Sequence, residues 1–189
     1  MAMPAPIDPR TLGPGLTAAV LDQLPDDGHR YEMVRGELLV SPAPDNRHQA
    51  ISMALTEAFL PYLRRVGTAV LRAAPLNCEG GPDTRVQPDL VALPTHLGAQ
   101  VAPYRLEQLL LVIEILSPST AHVDRAAKHR LYQDAGIPTC WLVDPADGIV
   151  EVWTPTAAFP DVARERVTWS APDAAEPLVV DVAALFAPI

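Results

Sequence analysis

Several things are scarce in this chain, and each shortage removes a class of protein. Only two cysteines, Cys78 and Cys140, occur in 189 residues, far apart and in no Cys-x-x-Cys pair. A zinc site or a disulfide framework is therefore not expected, and both residues read as small buried hydrophobes beside strands. No apolar run approaches the roughly 18 to 20 residues that span a bilayer. Residues 1–16 are rich in Pro and Gly and lack the basic-then-apolar order of a secretory leader. They are expected to be a flexible segment ahead of one domain over residues 17–189, in a cytoplasmic protein. Positive charge is also scarce: 14 Lys and Arg stand against 23 Asp and Glu, a formal charge of −9. That excludes a protein that coats nucleic acid by bulk electrostatics, which needs clustered cations. It leaves room for a local basic patch or a bound divalent cation. No internal repeat is present. No Gly-x-Ser-x-Gly elbow occurs either, and Pro118 separates Ser117 from Ser119, so a serine hydrolase is set aside.

What is present is an ordinary globular composition, 49% apolar and 20% charged, long enough for one sizeable core. The 21 prolines are spread along the chain and punctuate elements, as in Ser41-Pro42-Ala43-Pro44 and Gln87-Pro88-Asp89. Leu16–Leu24 reads as a short helix, and Tyr31–Val40 as a strand or a hairpin, with Arg35-Gly36 as its bend. Asn46 is placed to cap a helix running to about Arg65, with Ile51, Leu55, Phe59, Tyr62 and Leu63 near helical spacing. Strands are expected over Thr68–Pro75, Val86–Leu93 and Leu109–Leu116, with a loop at Gly80-Gly81-Pro82. A helix over His122–Ala135 stops at Gly136 and Pro138. Strands Thr139–Val143 and Ile149–Trp153 follow, joined by the turn Asp144–Gly148. Edge strands and a short helix near Val182–Phe186 close the chain. The order helix, three strands, helix, strand predicts an α/β fold with a mixed central sheet flanked by helices.

One residue breaks the apolar strand Leu109–Leu116: Glu114. A carboxylate in a strand covered on both faces costs several kcal/mol unless it is paired or bound to a cation. It points either to metal chemistry or to a salt bridge with a helical Lys or Arg. Asp89 follows Pro88, which forces an extended approach, and precedes Leu90-Val91-Ala92-Leu93. Alone it reads as a turn residue. Beside Glu114 on a neighbouring strand it makes the pair of hard oxygen ligands that Mg²⁺ prefers. Asp124, Lys128 and Tyr132 recur every four residues and so share one helix face. A lysine there serves either to stabilise charge on a phosphate or as half of a solvent-exposed Asp–Lys pair.

Gln87-Pro88-Asp89, Val112 through Thr120, Asp124 with Lys128 and Tyr132, Gly136-Ile137-Pro138 and Trp141 through Pro145 together resemble the bacterial Uma family. The upstream Tyr31 through Leu38 and Arg47-His48-Gln49 resemble it too, so the likeness covers about residues 17–186. That family is assigned to the PD-(D/E)XK nuclease superfamily and described as restriction endonucleases. The resemblance implies a restriction-endonuclease-like core with extra N- and C-terminal strands. It also implies that Asp89 and Glu114 are the catalytic acids and that they hold Mg²⁺ or Mn²⁺ with the backbone carbonyl of Ile115. In the superfamily pattern a lysine lies two residues after the second acid. Here Leu116 occupies that place, and the resemblance moves the lysine's role to Lys128 on the following helix. Glu37, His48 and Asp124 are the further candidates it supplies. The activity implied is hydrolysis of phosphodiester bonds, DNA being the expected substrate and a homodimer the expected assembly. The alternative is a catalytically inactive module of the same fold that binds nucleic acid or protein.

Overall fold

The computed structural model describes residues 7–117 and 127–187. Strand β1 (Arg30–Val34) and β2 (Glu37–Ser41) form the expected hairpin. Arg35 and Gly36 both take positive φ, 51° and 79°. That is the two-residue loop whose twist matches the strands, and it requires a left-handed conformation at both positions. Helix α1 spans Asn46–Val66, and β3 (Ala69–Ala73), β4 (Cys78–Gly81), β5 (Thr84–Val86), β6 (Leu90–Pro94), β7 (Tyr104–Arg105) and β8 (Leu111–Ile115) follow. Helix α2 (His129–Asp134) crosses to β9 (Cys140–Asp144), then β10 (Ile149–Trp153), β11 (Asp161–Ala163), β12 (Arg166–Trp169), β13 (Leu178–Asp181) and α3 (Val182–Leu185).

The central sheet is six-stranded, in the order β11-β10-β9-β8-β6-β3. It is mixed because β8 and β9 run parallel across the α2 connection, while the other neighbours are antiparallel. Residues of β8 alternate between two apolar clusters. Leu111, Ile113 and Ile115 pack with Ile51, Leu55 and Phe59 of α1. Val112 faces the other way and joins Tyr132 of α2 and Val86 of β5. Glu114 alternates onto that second side. Phe59 packs against Trp141 and Trp169 with ring centroids 5.7 Å apart in each pair, anchoring α1 to the sheet.

Several sequence expectations are corrected. Asn46 is the first residue of α1 rather than its cap. Asp45 is the cap, its carboxylate accepting the His48 N–H at 2.8 Å. The strand expected over Val86–Leu93 is two strands: Pro88 lacks the N–H a ladder needs, and the chain passes from β5 in one sheet to β6 in another. Gly80 and Gly81 belong to β4, which pairs with β5 across a bulge. Beyond the one mixed sheet expected, the chain forms a second sheet, β2-β1-β5-β4-β7. The helix expected near Leu16–Leu24 is a tighter 3₁₀ turn over Ala18–Gln23. The first part of the helix expected from His122 lies outside the described residues, and so does Asp124.

Candidate active site

The register of β6 on β8 places the two acids. Leu90 pairs with Ile113, so one step outward on each strand sets Asp89 opposite Glu114. Asp89 has just emerged from the Pro88 break, and its side chain takes over where the ladder stops. Its Oδ2 accepts the Ile115 N–H at 2.8 Å. The same oxygen lies 3.0 Å from His48 Nε2, and Arg30 donates to Oδ1 at 2.9 Å. Burial opposes the charge on Asp89, but His48, Arg30 and the Ile115 N–H outweigh it and hold the carboxyl below its ordinary value. His48 occupies the first turn of α1, fixed there by the Asp45 cap.

Glu114 is 2% exposed, and Lys128 is 3% exposed. The Tyr132 hydroxyl donates to Glu114 Oε1, and Lys128 Nζ lies 3.4 Å from the same oxygen. Lys128 and Tyr132 are one helical turn apart, so both reach one carboxylate. Burial first, then the charges of Glu114 and Glu32, push the Tyr132 hydroxyl well above its usual range and keep it a neutral donor. Lys128 is the only lysine in the chain.

Sequence reasoning missed two members of this constellation. Glu32 of β1 is 1% exposed, and its Oε2 lies 2.7 Å from Lys128 Nζ, closer than Glu114 does. Its Oε1 accepts the Gln87 N–H at 2.7 Å, tying β1 to the loop that presents Asp89. Arg30, two residues earlier on the same strand face, is the partner of Asp89. The signal available was their spacing in the hairpin, a basic and an acidic residue at i and i+2, but it matches any solvent-facing strand edge. Glu37, in contrast, is exposed at the turn end of the hairpin, where it pairs with Val34. It lies two residues of strand, roughly 7 Å, beyond Glu32 and does not line the cleft. The N-terminal carboxylate at the site is Glu32.

The side chains Arg30, Glu32, His48, Asp89, Glu114 and Lys128 line one cavity of about 230 Å³, with Ile115 and Ser117 at its wall. With Asp45, which also lines it, four carboxylates face one arginine and one lysine there, so carboxylates outnumber those cations by two. Among the described residues no three His, Cys, Asp or Glu side chains converge as a closed metal cage. The donor set instead fits a hard cation held by one or two carboxylates and completed by water and substrate oxygens, the pattern Mg²⁺ favours. Asp89, Glu114 and the Ile115 carbonyl would hold it.

Comparison with known proteins gives this geometry a family. No curated protein matches the chain. A solved structure from Anabaena variabilis ATCC 29413, described as "a putative nuclease belonging to DUF820", has a TM-score of 0.74 to this one. It is 23% identical, and the match covers 90% of this chain and 97% of that one, which establishes a shared fold. The family model Uma2, described as "Putative restriction endonuclease", matches residues 18–183. The match takes in every side chain named above, and the chain belongs to the Uma2 family.

Proposed function

We propose that the protein is a metal-dependent endonuclease that hydrolyses phosphodiester bonds, with DNA as its substrate and Mg²⁺ or Mn²⁺ as its cofactor. The observation that carries this reading is the juxtaposition of Asp89 and Glu114 on adjacent strands with a buried Lys128 ammonium against Glu114. A cation bound there would polarise the phosphate and lower the pKa of its water. The chain's own groups have distinct tasks. Arg30, His48 and the Ile115 N–H keep Asp89 ionised and fixed. Tyr132 orients Glu114. Lys128 offers a positive donor to the oxygen on which charge develops, and Glu32 positions that ammonium. A homodimer would bring two such clefts to the two strands of a duplex. The cytoplasmic expectation rests on sequence; among the described residues no helix is long and apolar enough to cross a membrane.

The test is cleavage of plasmid, linear duplex and single-stranded DNA by purified protein with Mg²⁺ or Mn²⁺. Asp89→Ala and Glu114→Ala are expected to abolish it; cleavage that survives both would end the nuclease reading. One observation favours the second reading, an inactive nucleic-acid- or protein-binding module: Asp89 and Glu114 both already have protein partners. Calorimetric titration with Mn²⁺ separates the two. Binding that Glu114→Gln weakens supports the enzyme, and absence of binding supports the module.

A further inference from the structure

The candidate cleft does not end at Asp89. A second cavity of about 440 Å³ lies on its far side and shares Arg30, Pro44, His48 and Asp89 with the first. The Arg30–Asp89–His48 cluster is thus a common wall between two open spaces. Helix α1, which carries His48, continues along the second space through Gln49, Ser52, Met53 and Thr56. These fall at i, i+3, i+4 and i+7, a single stripe of the helix. Its apolar stripe, Ile51, Leu55 and Phe59, is buried in the core.

The chemistry of this stripe is unlike that of the cleft beside it. It carries no charge, and the only ionic groups in the cavity are the three shared ones, already matched to one another. A phosphate would find no unmatched cation there. Gln49 is exposed, and among the described residues neither its amide nor the Ser52 hydroxyl has a hydrogen-bond partner, so a donor–acceptor pair and a hydroxyl are left for a ligand. Met53 is 64% exposed, a large adaptable apolar side chain standing in a groove rather than in a core. A planar ligand with an apolar face and a donor–acceptor edge fits that lining, which is the description of a nucleobase. In a chain of charge −9, a neutral groove continuous with the catalytic cleft is also where a polyanion's bases can approach at least cost.

We infer that the groove along α1 is the subsite for the nucleobase flanking the scissile phosphate, contacted by Gln49 and Met53, and that it sets base preference at that position. This rests on the nuclease reading and deepens it. The chain has four methionines, of which Met33 is fully buried, so methyl-labelled methionine reports the groove directly.

The experiment adds mixed-sequence oligonucleotides, single-stranded and duplex, to methyl-labelled protein in Ca²⁺, and measures affinity and cleavage-site profiles in Mn²⁺ for Gln49→Ala and Met53→Ala. The Met53 methyl, assigned with Met53→Leu, is expected to shift while that of Met33 stays put. Each alanine variant should weaken binding on the order of tenfold and flatten base preference next to the cut, as loss of one good base contact does. Glu176→Gln, exposed at the far end of α1 where it pairs with Arg65, should do neither. Cleavage that leaves the Met53 signal, the affinity and the profile of both variants unchanged overturns the subsite while the nuclease reading stands, and binding without cleavage overturns the nuclease reading and with it a subsite beside a scissile bond. Absence of any oligonucleotide binding and any cleavage overturns both.

Discussion

Lys128 shows how tightly the site is balanced at the scale of single residues. Its ammonium lies between two carboxylates, Glu32 and Glu114, and all three side chains are almost wholly buried. Removing one partner of a buried ionic cluster leaves an uncompensated charge. Lys128→Met is therefore expected to destabilise the fold by about 3 to 5 kcal/mol in urea denaturation. Adding Glu32→Gln should restore part of that loss by removing the like-charge pair. A double variant no more stable than the single would mean that the two groups are not coupled. Asp89 supplies a pH-dependent case. Its folded pKa is depressed, so its contribution is present above the unfolded value near about 3.9 and is lost as pH falls through the folded value. The stability gap between the wild type and Asp89→Asn should narrow below about pH 4 in metal-free denaturant titrations. A gap that stays constant down to acid unfolding would refute the depression. Glu114 was legible in the sequence because it interrupts an apolar run. Glu32 was not, since Tyr31-Glu32-Met33 is also what a half-solvated strand looks like. Its burial depends on a second sheet and on α2, neither of which leaves a local mark.

The elements place these residues through a few joints. The Asp45 cap fixes the first turn of α1, and that turn carries His48 to Asp89. Asp45→Ala should cost about 1 kcal/mol in stability, the usual worth of such a cap. It should also weaken Mn²⁺ binding by loosening His48 at Asp89, whereas Asp45→Asn, which can still cap, should restore both. Equal Mn²⁺ affinity in all three proteins would show that the His48 contact does not tune the site. Long periodic or apolar stretches were visible in advance: α1, the Arg35-Gly36 hairpin, and the strands at Leu111–Ile115 and Cys140–Asp144. The transfer of the chain between sheets at Gln87-Pro88 was not. Proline marks a break in a ladder, but nothing local says that β5 pairs with β1 while β6 pairs with β3 and β8. The cap slipped by one residue for a simple reason: Asp45 and Asn46 are both good capping residues, and only the backbone decides between them.

At the scale of the whole molecule, composition and site agree in the sign of their charge. The chain carries −9 overall, and the candidate cleft itself is acidic: four carboxylates, Glu32, Asp45, Asp89 and Glu114, meet Arg30 and Lys128 there. Both cysteines are buried, and Cys78, beneath that cleft, has its thiol pushed up to about 12 by burial and by Glu114 and Glu32. Both should therefore resist thiol reagents at pH 8 until the fold is opened by denaturant; rapid labelling of the native protein would contradict the packing. The charge balance has a consequence for binding. A protein that holds DNA through many cations releases many counterions, and its affinity falls steeply with salt, with a slope of about −0.9 per phosphate neutralised. Here the cations at the cleft are few and already paired within the protein. A divalent ion must supply much of the attraction, and contacts to bases must supply the rest. Anisotropy titrations in Ca²⁺ from 50 to 200 mM monovalent salt should therefore give a log–log slope no steeper than roughly −3, with little binding in a chelator. A slope near about −10, undiminished by chelation, would place the binding energy on an extended basic surface, which the composition does not provide.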